Sequence, residues 1–135
     1  MNLSYRIKTS PNTVFDYLTD MQKFVSIHPV ITKIENVKDN NYKIYETLKF
    51  GFIPCSFTYT ATVESDRTNG DVILKATVMK FNKVEMKFHV FQDGECTVIE
   101  EEITFKVKMP VKSMLGKIFK KQHQELFANL EKVVK

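Results

Sequence analysis

The sequence predicts an α+β domain in which a curved antiparallel sheet of six to seven strands wraps a long C-terminal helix. Three observations carry this. From Val30 to Met109 hydrophobic residues recur with period two, the spacing of half-buried strands. The turns between these runs are short and several are rich in Asp, Asn or Gly, so successive strands become antiparallel neighbours. From Val111 to Lys135 the period becomes helical: Leu115, Ile118, Phe119, Leu126, Leu130 and Val133 share one side, widened by Phe127 and Val134. Lys117, Lys120, Lys121, Gln124, Glu131, Lys132 and Lys135 take the other side. A lone amphipathic helix is marginal in water, so its stripe must lie on something. The β-rich middle is the surface available.

In chain order, Leu3, Tyr5 and Ile7 alternate with Ser4, Arg6 and Lys8, giving a first strand to Thr9. Ser10 then reads as an N-cap with Pro11 at the first helical position, followed by the helix-spaced Val14, Phe15 and Leu18. Asp20 caps a second short helix carrying Met21, Phe24 and Val25, and His28-Pro29 stops it. Strands follow at Val30 to Lys38, Tyr42 to Phe50, Cys55 to Glu64, Val72 to Met79, Val84 to Val90 and Thr97 to Met109. Turns fall at Asp39-Asn40-Asn41, Gly51 to Pro54, Ser65 to Asp71, Phe81-Asn82-Lys83 and Asp93-Gly94. Pro110 is expected to end the last strand. One-sided alternation predicts a sheet with one wet and one covered face, and that many strands curve rather than stay flat.

A chain of 135 residues with 43% hydrophobic and 27% charged content reads as one globular domain spanning 1–135. The start MNLSYRIKTS lacks the apolar core and cleavage site of a secretory signal. No apolar run approaches the roughly 20 residues of a membrane span, so a cytoplasmic location is expected. Cys55 and Cys96 sit in no CxxC or metal-like spacing and read as free thiols; no metal or cofactor is expected. A net charge of +4, without Arg clusters, RNP-type aromatics or a Gly-rich phosphate loop, predicts no nucleic-acid partner.

The opening strand into SPNTVFDYLTDMQKFVSIHPV, the unbroken hairpins and the late KMPVKSMLGKIFKKQHQELFANLEKV helix resemble the helix-grip fold of the START-like, or SRPBCC, superfamily. That superfamily includes pollen-allergen-like proteins, lipid-transfer domains, polyketide cyclase/dehydrase-like proteins and coenzyme Q chaperones. The resemblance covers the full length, and its motifs are topological rather than catalytic. It implies an apolar ligand held between the sheet and the C-terminal helix.

Strand parity places Glu46 and Glu101 on the covered face, and Gln122 and His123 interrupt the helix stripe. A carboxylate in a closed apolar core costs several kcal/mol unless paired or neutralised. Either these groups line a cavity, or the glutamates reach solvent at a strand end or bulge. His123 is satisfied by a backbone group or carboxylate, or acts chemically. His28 reads as serving the helix-to-strand corner, and His89 falls on the outer parity. The expected ligand-facing set is Glu46, Phe57, Tyr59, Leu74, Met86, Phe88, Glu101, Phe105, Phe119, Gln122 and His123. Phe57, Leu74, Met86, Phe88 and Phe105 are core in any reading.

The meander sends alternate turns to opposite ends. One end collects polar and acidic turns; the other collects Phe50 to Pro54, Lys80 to Lys83 and Lys108 to Lys112. Apolar and basic turns together are unusual for exposed loops. They predict a cavity mouth with Phe52, Ile53, Phe81 and Met114 as a lip and Lys49, Lys80, Lys83 and Lys112 around it; alternatively the apolar residues plug the interior. A mouth of this kind suits an apolar ligand with an acidic head, or transient contact with an anionic bilayer.

Three functions follow. The leading one is carriage of a small hydrophobic molecule such as a lipid, isoprenoid or polyketide. A cyclase- or dehydrase-like enzyme would use Glu46, Glu101 or His123 as acid–base groups. A docking module would use the Lys-rich helix face and the lip to engage a membrane or protein partner.

Overall fold

Alternation builds the meander. The computed structural model describes residues 1–50, 52–78, 81–107 and 109–134. These form β1 (Asn2–Ile7), α1 (Pro11–Thr19), α2 (Met21–Ile27), β2 (Ile31–Lys38) and β3 (Asn41–Phe50). They continue with β4 (Ile53–Asp66), β5 (Asp71–Val78), β6 (Asn82–Asp93), β7 (Cys96–Lys106) and α3 (Met109–Val134). The strands make one antiparallel sheet in the order β1-β7-β6-β5-β4-β3-β2. The first strand therefore lies beside the last, and α1 and α2 carry the chain from one sheet edge to the other. This α+β helix-grip architecture is the one the sequence predicts.

Local chemistry explains the junctions. Ser10 Oγ accepts the Thr13 N–H at 3.2 Å, and Asp20 Oδ1 accepts those of Gln22 and Lys23 at 3.0 and 3.3 Å, so each short helix starts on its own cap. Asp39 (φ 53°) and Gly94 (φ 63°) supply the left-handed backbone of two hairpin turns. Gly70 (φ 73°) is required by space as well: a Cβ there would sit 2.2 Å from the Val90 carbonyl oxygen.

Several boundaries differ from expectation because pairing runs further into the turns. Ile53 pairs with Phe50 and Asn82 with Val78, so Ile53, Pro54, Asn82 and Lys83 are strand residues, as is Asn41. The Ser65 to Asp71 loop shrinks to 67–70. At the other end of the chain β7 stops at Lys106, and Pro110 falls in the first turn of α3 rather than ending the strand; there proline lacks only an N–H that would have no helical partner. Gly51, Met79, Lys80, Lys108 and Lys135, all used in the expectations above, lie outside the described residues, as do the side chains of Phe50, Met109, Pro110 and Val111.

The helix packs unevenly. Leu126, Phe127 and Leu130 are buried in the main core with Ile7, Phe15, Leu18, Phe88 and Ile99. Leu115, Ile118 and Phe119, about two to three turns before Leu126, are half-buried. Val133 is exposed, against the helical-wheel expectation; Val134 continues the row from Leu126 and Leu130 and takes the inner side. Phe88 is fully buried, edge-on to Phe127 with ring centroids 6.2 Å apart. Phe88→Ala should cost roughly 3–5 kcal/mol, read from chemical denaturation; a loss below about 1 kcal/mol would contradict this packing.

Candidate functional site

Because the first half of α3 stands off the sheet, a cavity of about 230 Å³ lies between that half and the strands β3 to β6. Alternate residues of each strand point into it: Glu46 and Leu48, Phe57 and Tyr59, Ala76 and Val78, Asn82, Val84 and Met86. The helix adds Leu115, Ile118, Phe119 and Gln122, and Val107 closes the junction. The walls are apolar, with polar groups concentrated where Glu46, Tyr59 and Gln122 meet. Beyond Gln122 the space continues as a recess of about 20 Å³ that adds His28, Leu74 and His123. Leu48, Val78, Asn82, Val107 and Leu115 lie beside the β3–β4, β5–β6 and β7–α3 junctions, so the outer end faces these three turns. A wider and more open depression on the outside of the sheet is lined by Leu3, Asp71, Ile73, Lys87, His89 and Glu100.

All four polar residues expected on the covered side are buried: Glu46, Glu101, Gln122 and His123. The alternative that the glutamates reach solvent does not hold. Burial pushes the Glu46 carboxyl up, against smaller opposing effects of a Tyr59 hydrogen bond and His123. Burial and the neighbouring Glu46 also raise the Tyr59 phenol. Glu101 and His123, 2% and 3% exposed, meet through Glu101 Oε2 and His123 Nδ1. The His123 ring stacks on Phe88 and meets Phe119 edge-on. Glu101 Oε1 and the Tyr5 hydroxyl are buried without a hydrogen-bond partner among the described residues. Burial, with Glu101 nearby, raises Tyr5 as well.

Of the expected ligand-facing residues, Glu46, Phe57, Tyr59, Met86, Phe119 and Gln122 line the cavity, and Leu74 and His123 only the recess. Phe88, Glu101 and Phe105 line neither. Phe88 is core, Glu101 sits behind His123, and Phe105 packs with Val84 and Ile103 in a smaller cluster that includes Phe119. At the outer end Phe52 and Phe81 are 102% and 85% exposed, and Ile53, Met114 and Lys112 are exposed too. So exposed, they do not plug the interior. The sequence reading omitted Leu48, Ala76, Val78, Val84, Val107, Leu115 and Ile118, although strand parity and the helix stripe already placed most of them inward. It also missed the recess role of His28. His28 does serve the corner, its Nδ1 accepting the Val30 and Ile31 N–H groups at 3.2 and 3.0 Å. His89 points outward to Asp71 at 2.7 Å.

The family model described as CoxG, a carbon monoxide dehydrogenase subunit, matches residues 4–135. The chain belongs to the CoxG family. Comparison of this CoxG-family sequence with curated proteins returns no match. Among solved structures, a START superfamily protein from Mycobacterium smegmatis superposes with TM-score 0.82 at 16% identity, covering 99% of this chain and 95% of its own. Ara h 8.0201 gives TM-score 0.79 at 17% identity, covering 99% and 95%. The Zhui aromatase/cyclase from a Streptomyces species gives 0.73 at 11% identity, covering 100% and 94%. At these identities the likeness concerns the fold, which is that of the START-like superfamily. Among the described residues no helix is long and apolar enough to cross a membrane, and no His, Cys, Asp and Glu cluster could hold a metal ion.

His28 gives the site a pH signature. Burial, and then His123, lower its ring to about 3, whereas an unfolded chain takes up that proton near 6.5. The unfolded state binds more protons between these values, so this contribution to stability is present above pH ~6.5 and lost as pH falls toward ~3. Replacing His28 with Asn, whose amide oxygen can accept the same backbone N–H groups, should flatten the acid limb by up to about 1.4 kcal/mol per pH unit. Stability measured against pH would contradict this if both proteins lost it in parallel.

Proposed function

We propose that this CoxG-family chain binds a small hydrophobic molecule (a lipid, isoprenoid or polyketide-like compound) between its sheet and α3. The observation that carries this reading is the cavity itself: about 230 Å³ of space with apolar walls and a few convergent polar groups, the usual make-up of a small-molecule site. A packed core of this size would not leave such a space, because each unfilled methyl-sized void costs about 1 kcal/mol.

Native mass spectrometry of protein gently purified from its own host should reveal a retained small molecule. Ala76→Leu, which extends a side chain from the wall shared by cavity and recess, should fold with unchanged or higher melting temperature and lose that molecule. A ligand-free wild-type spectrum, together with a destabilised Ala76→Leu protein, would contradict a vacant, ligand-sized space.

Loading through the open end fits its surface. Residues 47–57, 76–84 and 104–121 contain nine lysines and no Asp or Glu, and Phe52, Ile53, Phe81 and Met114 project among them. Apolar tips backed by lysines are the make-up of a surface that dips into an anionic bilayer. The protein should sediment with phosphatidylglycerol vesicles and not with phosphatidylcholine vesicles, and Phe52→Ser with Phe81→Ser should abolish this. Equal binding of the double variant would remove the membrane from the account. Capture of a dehydrogenase complex instead would make a protein the docking partner, in line with the family's description.

A second reading, acid–base chemistry on the bound molecule of the cyclase or dehydrase kind, is favoured by one observation. Glu101 and His123 converge in a closed interior next to the recess, as a base and the group that orients it would.

A further inference from the structure

The inner end of the cavity is built unlike its walls. The recess beyond Gln122 has a volume of about 20 Å³, room for one oxygen-sized group. Five of the thirteen residues that line it are polar, His28, Glu46, Tyr59, Gln122 and His123, set among apolar neighbours. With its Nδ1 accepting two backbone N–H groups, a neutral His28 carries its proton on Nε2. Burial favours the protonated carboxyl of Glu46 and keeps the Tyr59 hydroxyl intact. Gln122 adds an amide N–H₂. His123 has Nδ1 against Glu101, which leaves Nε2 as its ring nitrogen for the recess. The lining thus includes hydrogen-bond donors, and it includes no lysine or arginine.

We propose that this recess seats the single hydrogen-bond-accepting oxygen of an uncharged ligand head, a ketone, ester or alcohol, with the apolar body lying outward along the cavity. The assignment rests on the cavity reading above and names the class of molecule that the cavity takes. A carboxylate head in the recess would face Glu46 with Glu101 behind His123, and would find no lysine or arginine there. Desolvating an unpaired carboxylate is far more costly than desolvating a ketone. An acidic head therefore belongs at the lysines of the mouth, outside. The acidic head expected from the sequence concerned those mouth lysines, whereas the interior selects a neutral oxygen.

The test uses dodecan-2-one labelled with ¹³C at its carbonyl, beside dodecane and dodecanoate as probes. Bound to the wild-type protein, the carbonyl resonance should lie downfield of its position in an alkane solvent, the mark of a hydrogen-bonded oxygen. The ketone should bind about tenfold tighter than dodecane, and tighter than dodecanoate at ~pH 8, where that head is ionised. The Glu46→Leu and Tyr59→Phe double variant should move the resonance toward its alkane-solvent position and reduce the ketone's advantage over dodecane. Glu46→Gln, which keeps a donor, should preserve both. A bound ketone without the downfield shift, or dodecanoate binding tighter than the ketone, would overturn the subsite and leave the cavity reading intact. Failure of all three probes to bind would overturn both.

Discussion

Leu126, Phe127 and Leu130 fix the geometry on which the other features depend. They seat the second half of α3 in the main core, and the Asn129 side-chain amide ties the same half to the Ile27 carbonyl at 2.8 Å. A rigid helix held firmly at one end follows a straight line, while the sheet beneath it curves. The two surfaces therefore separate toward the first half of α3, where Leu115, Ile118 and Phe119 remain half-buried. The cavity is the space left by that divergence. Its outer end falls among the turns because the helix and the sheet stay apart there.

The polar interior has no evident basis in stability alone. Buried ion pairs and unpartnered carboxylates rarely stabilise a fold, and apolar replacements of similar shape are often neutral or better. Glu101, His123 and the Tyr5 hydroxyl, buried with hydrogen-bonding capacity unfilled, are costly by this measure. Grouped against the inner end of an apolar cavity, they read as parts of a site. Glu101 lies one layer behind the recess, where it meets Nδ1 of His123, which lines that recess. Glu46, Tyr59 and Gln122 form the layer in front.

Much of this was legible in the sequence because a strand reports its buried face every second residue. Parity placed Glu46 inward between Ile44 and Leu48, and the helix stripe placed Gln122 and His123 beside Phe119. The caps at Ser10 and Asp20 were readable from residue type and position. Depth along the cavity was not readable. Phe88, Glu101 and Phe105 share the inward parity of Met86 and Ile103, yet they lie clear of the space, since parity names a face and leaves open where along it the helix lifts away. His28 was hidden for another reason: a residue before proline at a helix end already has a structural use. Only the fold brings its ring to the recess.

Crystals held under xenon pressure test the central claim most directly, since xenon enters apolar space without needing a particular head group. Helix and sheet diverging as described predict a xenon site between Met86 and Phe119, bordered by Leu48 and Ile118. A crystal structure in which those side chains meet and exclude xenon would contradict the account.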